Sequence, residues 1–283
     1  MNRVSEPDPT RAVLETWDGI APAWERYRQR AFEGFRPVSE WLVERVDPQP
    51  GQTVLELAAG PGETGFLAAE RVGPSGRLIS SDLAPAMVEA ARRGAEERAL
   101  GNVECRVIDA QQIDLPDASV DGVLARLGFM LVPDPAQAFR EIRRVLRPGG
   151  RLAYGVIGPP DRNPWIGLMM GAIVQNGHPP PGDPFGPGGP FSLSAPERNR
   201  ELVAAAGFGD VEVEEIGGAM RFDGPDDYFA LQSSLGGPVA ALVASLPADQ
   251  TDAVRATLGP MLAPFQSGDT YDVPSLVVAV KAS

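Results

Sequence analysis

The sequence predicts an α/β protein with a mostly parallel sheet that is covered by helices on both faces. Between residues 47 and 158, short apolar runs alternate with amphipathic helical stretches, which is the pattern of successive βαβ units. The runs are continuously apolar rather than alternating, as expected when both faces of a sheet are buried. A chain of 283 residues is long enough for one such domain with an added cap.

Residues 1–46 are predicted to form an N-terminal helical cap. Apolar and aromatic residues recur at helical spacing from Val13 to Trp24, and again from Phe35 to Val46. Residues 48–51 (PQPG) then break the helical pattern, so they separate this cap from the region that forms the sheet.

Residues 47–158 are predicted to form the core of the sheet. Its strands are expected in five apolar runs: Thr53–Leu57, Arg77–Ser81, Val103–Ile108, Val120–Leu124 and Leu152–Ile157. Helices are expected between them at Thr64–Val72, Pro85–Leu100 and Pro135–Leu146. Crossovers between parallel strands are right-handed, and ligands bind such sheets at the carboxyl ends of the strands.

Residues 159–283 are predicted to hold a lid loop, the last strands of the sheet and a helical insertion, either in the same domain or as a cap. The loop is the glycine- and proline-rich stretch 175–190, which is either a mobile lid or an inert surface loop. Strands are expected at Val211–Ile216 and Ser275–Lys281, with helices at Ala195–Ala206, Pro225–Leu235 and Pro238–Leu262.

The composition of the chain limits the kinds of molecule that it is expected to bind and where it is expected to occur. A formal net charge of −13 disfavours a nucleic-acid substrate, because phosphate backbones would be repelled. The single cysteine, Cys105, cannot form a disulfide within the chain, and no metal site is predicted. No apolar run approaches the roughly 20 residues of a membrane helix, and residues 1–10 lack the apolar region of a signal peptide. We therefore expect a cytoplasmic protein that does not enter a membrane.

A glycine-rich segment after the first predicted strand is the candidate ligand site. Residues 54–65 (VLELAAGPGETG) follow a strand and open a helix, so backbone N–H groups point at a ligand there. Glycines at Gly60, Gly62 and Gly65 leave room for that ligand. The spacing also satisfies the dinucleotide fingerprint. Asp82 ends the second strand, where its carboxylate could bind ribose hydroxyls in either class of cofactor.

Glu56 indicates which class of cofactor the glycine loop binds. A carboxylate beside the glycine loop would repel a pyrophosphate, whereas it would attract the amino group of S-adenosylmethionine, directly or through water. The loop would then hold the methionine part of that cofactor and Asp82 its ribose. Asp109, Ala110 and Gln111 end the third strand, where an adenine amino group could be recognised.

From Trp17 to Gly158 the chain resembles the class I S-adenosylmethionine-dependent methyltransferases, particularly the ubiquinone and menaquinone biosynthesis branch. The matching segments are residues 54–62, 81–87 (SDLAPAM), 109–110, 121–134 and 144–150 (RVLRPGG). The resemblance implies a Rossmann-like, seven-stranded sheet whose last strand is antiparallel, with S-adenosylmethionine as cofactor and S-adenosylhomocysteine as product. The residues that it places against the cofactor are Glu56, Ala58, Gly60, Gly62, Asp82, Leu83, Met87, Asp109, Ala110 and Arg126.

Two departures from the family bear on the substrate. Ala58 and Ala59 replace the Gly-Cys pair that is usual in the loop, which is an exchange of small residues. Residues 127–134 (LGFMLVPD) lack the arginine–asparagine pair of the quinone methyltransferases and the histidine of many other relatives. A quinone is therefore not the expected acceptor.

His178 and Tyr27 are the candidate catalytic side chains. His178 is the only histidine, and it is either a general base or an idle loop residue. Tyr27 lies on the N-terminal helix that covers the cofactor in relatives, so it either contacts the substrate or packs onto the core.

The predicted reaction is in-line transfer of a methyl group to an oxygen, nitrogen or carbon of a small molecule, helped mainly by alignment and exclusion of water. Three alternatives remain open: a non-catalytic or regulatory protein, another reaction such as cyclisation in the same pocket, and a nicotinamide-dependent oxidoreductase.

A hydrophobic or aromatic acceptor is suggested by apolar residues in the C-terminal region, although core packing explains them equally well: Trp165, Met169, Met170, Phe191, Tyr228, Phe229, Met261 and Phe265.

Overall fold

A mostly parallel sheet forms the centre of the protein in the computed structural model, which describes residues 9–283. Its seven main strands are β1 (Thr53–Glu56), β2 (Arg77–Asp82), β3 (Val103–Val107), β4 (Val120–Arg126), β5 (Leu146–Ile157), β6 (Glu212–Phe222) and β8 (Thr270–Ala282). They lie in the order β3-β2-β1-β4-β5-β8-β6. The first five are parallel, whereas β8 is antiparallel to both of its neighbours. A two-residue strand, β7 (Gln266–Ser267), pairs with the start of β8.

Helices cover both faces of the sheet, so the predicted fold class is confirmed. They are α1 (Pro9–Gly34), α2 (Arg36–Val46), α3 (Glu63–Val72), α4 (Pro85–Glu97), α5 (Pro135–Val145), α6 (Pro164–Gln175), α7 (Pro196–Ala205), α8 (Pro225–Leu235), α9 (Pro238–Ser245) and α10 (Ala248–Leu262). One buried cluster joins α5 and α7 to one face of the sheet. A second cluster joins α2, α3, α6, α8 and α10 to the other face. No helix within residues 9–283 is long and apolar enough to cross a membrane.

The C-terminal strands belong to the same sheet as the parallel core. β6 and β8 form a long antiparallel pair, from Glu212 opposite Lys281 to Phe222 opposite Tyr271. Both strands are longer than the apolar runs in the sequence indicate, because backbone pairing continues past the point where apolar residues give way to polar and glycine residues. The last strand is therefore antiparallel, as the family resemblance implies.

Two helical features differ from the sequence prediction. Helix α6 was not predicted, because Pro164–Gln175 is apolar almost all round and shows no amphipathic period. The single helix predicted over Pro238–Leu262 is two helices, since Leu246 is extended before Pro247. That is the conformation that a following proline favours.

Candidate active site

Two adjoining cavities open at the carboxyl ends of the parallel strands. The first, which we name the loop cavity, has about 940 Å³ of empty space. Its walls are the β1–α3 loop, the ends of β2, β3 and β4, and the N-terminal half of α1. The second, the apolar cavity, has about 1420 Å³ and is enclosed by α1, α6, α8, α9 and the loop at residues 181–191.

Asp82 connects the glycine loop to the end of β2. Its Oδ2 accepts a hydrogen bond from the Gly60 N–H at 2.9 Å, and its Oδ1 accepts one from the Ala84 N–H at 3.0 Å. Burial raises the pKa of Asp82, while these backbone donors act in the opposite direction. Its carboxylate lines the loop cavity beside Leu83, where it can accept hydrogen bonds from a ligand.

Glu56 lies behind the glycine loop rather than in the cavity. Its Oε1 accepts a hydrogen bond from the Gly65 N–H at 2.8 Å, and its Oε2 accepts one from the Ser80 hydroxyl at 3.1 Å. Burial raises the pKa of Glu56 to about 8. A Cβ on residue 65 would lie 2.1 Å from Glu56 Oε2, so this glycine makes room for a carboxylate of the protein itself. Direct contact of Glu56 with the cofactor, as the sequence suggested, does not follow from this geometry.

Arg126 provides a positive charge at the end of β4. Its Nε donates to Thr64 Oγ1 at 2.9 Å, and its guanidinium lies 5.8 Å from the centre of the Phe35 ring. Burial lowers the pKa of Arg126, whereas Glu56 and Glu63 favour its charged form. Neither terminal nitrogen has a hydrogen-bond partner among residues 9–283, and the side chain lines the loop cavity. This arrangement can bind an anionic group such as a carboxylate.

The turn after β3 forms the far wall of the loop cavity. Asp109 Oδ1 accepts the Gln111 N–H at 2.8 Å, and Gln111 Oε1 in turn accepts the Asp134 N–H at 2.9 Å. Asp109 and Ala110 line the cavity beside the apolar side chains of Met87 and Ile108. An apolar slot with a few fixed polar groups at its edge suits a flat heteroaromatic ring.

The two cavities share four lining residues, Trp17, Trp24, Leu127 and Leu131. Leu127 follows β4 with a φ of 58°, a left-handed conformation that is uncommon for residues other than glycine. The Nε1 of Trp24 is buried and has no acceptor among residues 9–283. A ligand in either cavity would therefore contact the same wall. That wall contains the buried N–H donor of Trp24.

The predicted cofactor residues fall into two groups. Gly62 joins Glu56 behind the cavity surface, where it begins α3 with a φ of 86°. The other eight line the loop cavity together: Ala58, Gly60, Asp82, Leu83, Met87, Asp109, Ala110 and Arg126. Two further lining residues were not predicted: Leu127, whose backbone conformation has no sequence signal, and Gln232, a polar residue inside an ordinary helical pattern.

Neither catalytic candidate reaches a cavity. His178 follows α6, where its backbone N–H bonds to the Ile173 carbonyl, and it is absent from both cavity walls. Tyr27 packs against the cluster on the α2 face of the sheet, with the Arg26 guanidinium 5.3 Å from its ring centre. Neither side chain lines a cavity, so a catalytic role for either one stays a prediction.

Comparison with known proteins identifies relatives of this chain. A family model described as a methyltransferase domain matches residues 48–161. The chain is 39% identical over 199 residues to nocamycin O-methyltransferase from Saccharothrix syringae, covering 67% of this chain and 70% of that protein. It is 36% identical over 144 residues to aklanonic acid methyltransferase DauC from Streptomyces sp. strain C5, covering 51% of this chain and 64% of that protein.

Solved structures share the fold at lower identity. The YcgJ protein of Bacillus subtilis is 17% identical, with a TM-score of 0.58 over 86% of this chain and 96% of that one. The [4+2]-cyclase SpnF is 20% identical, with a TM-score of 0.52 over 87% of this chain and 79% of that one. On the sequence relationships and the fold, the chain belongs to the class I S-adenosylmethionine-dependent methyltransferases, and S-adenosylmethionine is its cofactor.

Proposed function

We propose that this methyltransferase acts on a small hydrophobic or aromatic molecule that binds in the apolar cavity. The supporting observation is the wall that the two cavities share at Trp17, Trp24, Leu127 and Leu131. A cofactor in the loop cavity and an acceptor in the apolar cavity would meet at that wall. The cofactor supplies a methyl group activated on its sulfonium, which the acceptor takes by in-line displacement.

The residues of the loop cavity have distinct parts in this proposal. Asp82 accepts hydrogen bonds from the ribose hydroxyls, and Arg126 binds the carboxylate of the methionine part through its two unpaired terminal nitrogens. Asp109 and Ala110 border the adenine. Glu56 and Gly62 act indirectly, because they hold the glycine loop in shape from behind.

A hydrophobic acceptor fits the second cavity, since aromatic, methionine, leucine and proline side chains make up most of its lining. Relatives named for nocamycin and for aklanonic acid support a small-molecule acceptor, and the first is named an O-methyltransferase. We therefore place an oxygen nucleophile first among the candidates.

In this proposal, methyl transfer is accelerated mainly by the alignment of the two reactants and by the exclusion of water. Asp183 is the one titratable side chain among the described residues that line the apolar cavity, and it is exposed on the loop. An acceptor whose hydroxyl ionises readily needs no dedicated base. Holding two reactants in line and excluding water can contribute about 7–11 kcal/mol to a reaction.

Calorimetric titration and a transfer assay test the proposal. S-adenosylhomocysteine should bind the purified chain, and NADH, titrated in parallel, should not. Methyl-labelled S-adenosylmethionine should then label at least one member of a panel of aromatic hydroxy compounds. A demethylated quinone in the same panel should remain unlabelled. Tight binding of S-adenosylhomocysteine without labelling of any compound would contradict the proposed acceptor class.

A further inference from the structure

One polar side chain in the apolar cavity is set to recognise the acceptor. We infer, on the basis of the proposed function, that Gln232 determines specificity there. Its side-chain carbonyl accepts a hydrogen bond from a hydroxyl or N–H group on an otherwise apolar, planar molecule. The preferred acceptors would therefore carry a hydrogen-bond donor as well as the group that is methylated.

The orientation of the Gln232 amide is fixed by the start of α6. Its Nε2 donates to the Trp165 carbonyl at 2.7 Å, and only the nitrogen end of the amide can make that bond. Gln232 is 7% exposed, so few other rotamers are open to it. The Oε1 atom consequently points away from Trp165.

The carbonyl that holds Gln232 is itself well anchored. The fully buried Tyr228 hydroxyl donates to the Trp165 carbonyl at 2.8 Å and accepts the Met169 N–H at 3.0 Å. This hydroxyl therefore joins α8 to the first turn of α6, and the amide of Gln232 is held by the same carbonyl. A recognition group needs this kind of support to select between ligands.

The Oε1 of Gln232 is free to receive a ligand. It accepts no hydrogen bond from residues 9–283. It is also not fully enclosed, so part of its surface remains accessible. Gln232 forms part of the wall of the apolar cavity, and we infer that the accessible surface of Oε1 faces that cavity. Asp183 is the other described lining side chain with acceptor oxygens, but it is exposed and its Oδ1 already accepts the Phe185 N–H at 2.9 Å.

An unpaired carbonyl in an apolar wall favours ligands that carry a hydrogen-bond donor, because it is costly to bury the carbonyl without a partner. A bound molecule without a donor displaces water from Oε1 and leaves it unsatisfied, which is unfavourable. A molecule with a donor at that point replaces the lost hydrogen bond. Sites of this kind reject analogues that lack the donor more strongly than a purely apolar pocket rejects a change of size.

Binding of two matched probes tests the inference. Equilibrium dialysis against the full chain saturated with S-adenosylhomocysteine gives the affinities of 2-naphthol and 2-methoxynaphthalene, which share a ring system but differ in the donor. The wild-type chain should prefer 2-naphthol by about tenfold, the worth of one neutral hydrogen bond. In Gln232→Met the preference should fall to about one, with the affinity for 2-methoxynaphthalene little changed.

Leu235→Met is the matched control, because Leu235 lines the same cavity from the same helix and the change alters no polar group. It should keep the wild-type preference. An unchanged preference in Gln232→Met would overturn the inference. So would equal binding, or no binding, of the two probes by the wild-type chain, whether or not the variant folds. Failure of the proposed function would instead appear as absent methyl transfer.

Discussion

The carboxylates of Glu56 and Asp82, at the ends of β1 and β2, have different partners, and their replacement should have different effects. Asp82 bonds to the glycine loop and also faces the loop cavity. Glu56 bonds to Gly65 and Ser80 and does not line that cavity. Changes at Asp82 should therefore weaken the binding of cofactor, whereas changes at Glu56 should alter stability first.

Replacing Asp82 with asparagine should lower the affinity for S-adenosylhomocysteine by about 10- to 100-fold. A hydrogen bond to a charged group contributes about 1.5–3 kcal/mol, and the amide also presents the wrong group to one of its backbone donors. Calorimetric titration of Asp82→Asn measures the loss. Asp161→Asn, an exposed aspartate outside both cavities, is the control. Wild-type affinity in Asp82→Asn would remove Asp82 from the ribose site.

The raised pKa of Glu56 gives the protein a pH-dependent stability. Its ordinary value is 4.5 and burial raises it to about 8, so over this interval the folded chain holds a proton that the unfolded chain releases. The free energy of unfolding should therefore fall as pH rises through this window, by up to about 1.4 kcal/mol per pH unit. The contribution is complete below pH 4.5 and lost once pH passes 8.

The substitution Glu56→Gln cannot ionise, so it should flatten that part of the stability curve. Urea unfolding of the wild type and the variant between pH 5 and 9 measures the difference. Glu70→Gln, on the exposed face of α3, should follow the wild-type curve. Parallel curves for the wild type and Glu56→Gln would show that Glu56 is already ionised in the folded chain.

The sequence predicts Glu56 at the end of β1, and the structure adds the protein groups that bond to its carboxylate, Gly65 and Ser80. A strand pattern predicts that a carboxylate at this position needs a partner, because burial of an unpaired charge is costly. It does not predict which atoms supply the partner. Here the absence of a side chain at Gly65 leaves the space and the backbone N–H that the carboxylate uses. The same glycine fits a ligand-binding pattern equally well.

At the scale of elements, helix α1 joins the two cavities. Glu25 forms a bidentate ion pair with Arg93 of α4, both distances being 2.7 Å. Arg30 forms another with Asp227 of α8, at 2.6 and 2.5 Å. These ion pairs hold α1 both to α4, beside the loop cavity, and to α8, beside the apolar cavity, and Trp17 and Trp24 line both cavities.

Proline 22 lies inside α1 and should reduce its stability. It cannot donate to the Asp18 carbonyl, and its ring crowds the preceding turn. Because Pro22 is exposed, little packing is lost when it is replaced. Pro22→Ala should raise the free energy of unfolding by about 1–3 kcal/mol, as measured by urea unfolding. Pro85→Ala, at the exposed first position of α4, should change it little; equal effects at both positions would contradict this expectation.

The helix that escaped prediction, α6, is one of those that line the apolar cavity. Helix α6 contacts the sheet, α8 and α10, and its nearly uniform apolar sequence leaves no polar face for a periodicity argument. The break before α10 depends on Pro247, which an otherwise helical pattern hides. By contrast, the parallel core was predictable, because each strand and helix there has its own local pattern.

The apolar cavity could be predicted only in part, for a related reason. Its walls come from α1, α6, α8, α9 and the loop at 181–191, which lie far apart in the sequence. Only the closure of β6 and β8 onto β5 brings the C-terminal helices over the ends of the parallel strands. The glycine loop and its neighbours, in contrast, lie at successive strand ends, so the order of elements was enough to predict their convergence.

At the scale of the whole molecule, the shared wall should couple the two ligands. Trp17, Trp24, Leu127 and Leu131 contact both cavities, so a ligand that orders them in one cavity lowers the cost of ordering them for the other. We expect S-adenosylhomocysteine to tighten the binding of 2-naphthol several-fold, and 2-naphthol to tighten that of S-adenosylhomocysteine by the same factor. Dialysis with and without each partner measures both factors, and NADH in place of S-adenosylhomocysteine should have no effect. A coupling factor of one would mean that the two ligands bind independently. The four shared residues would then separate the two ligands rather than bring them into contact.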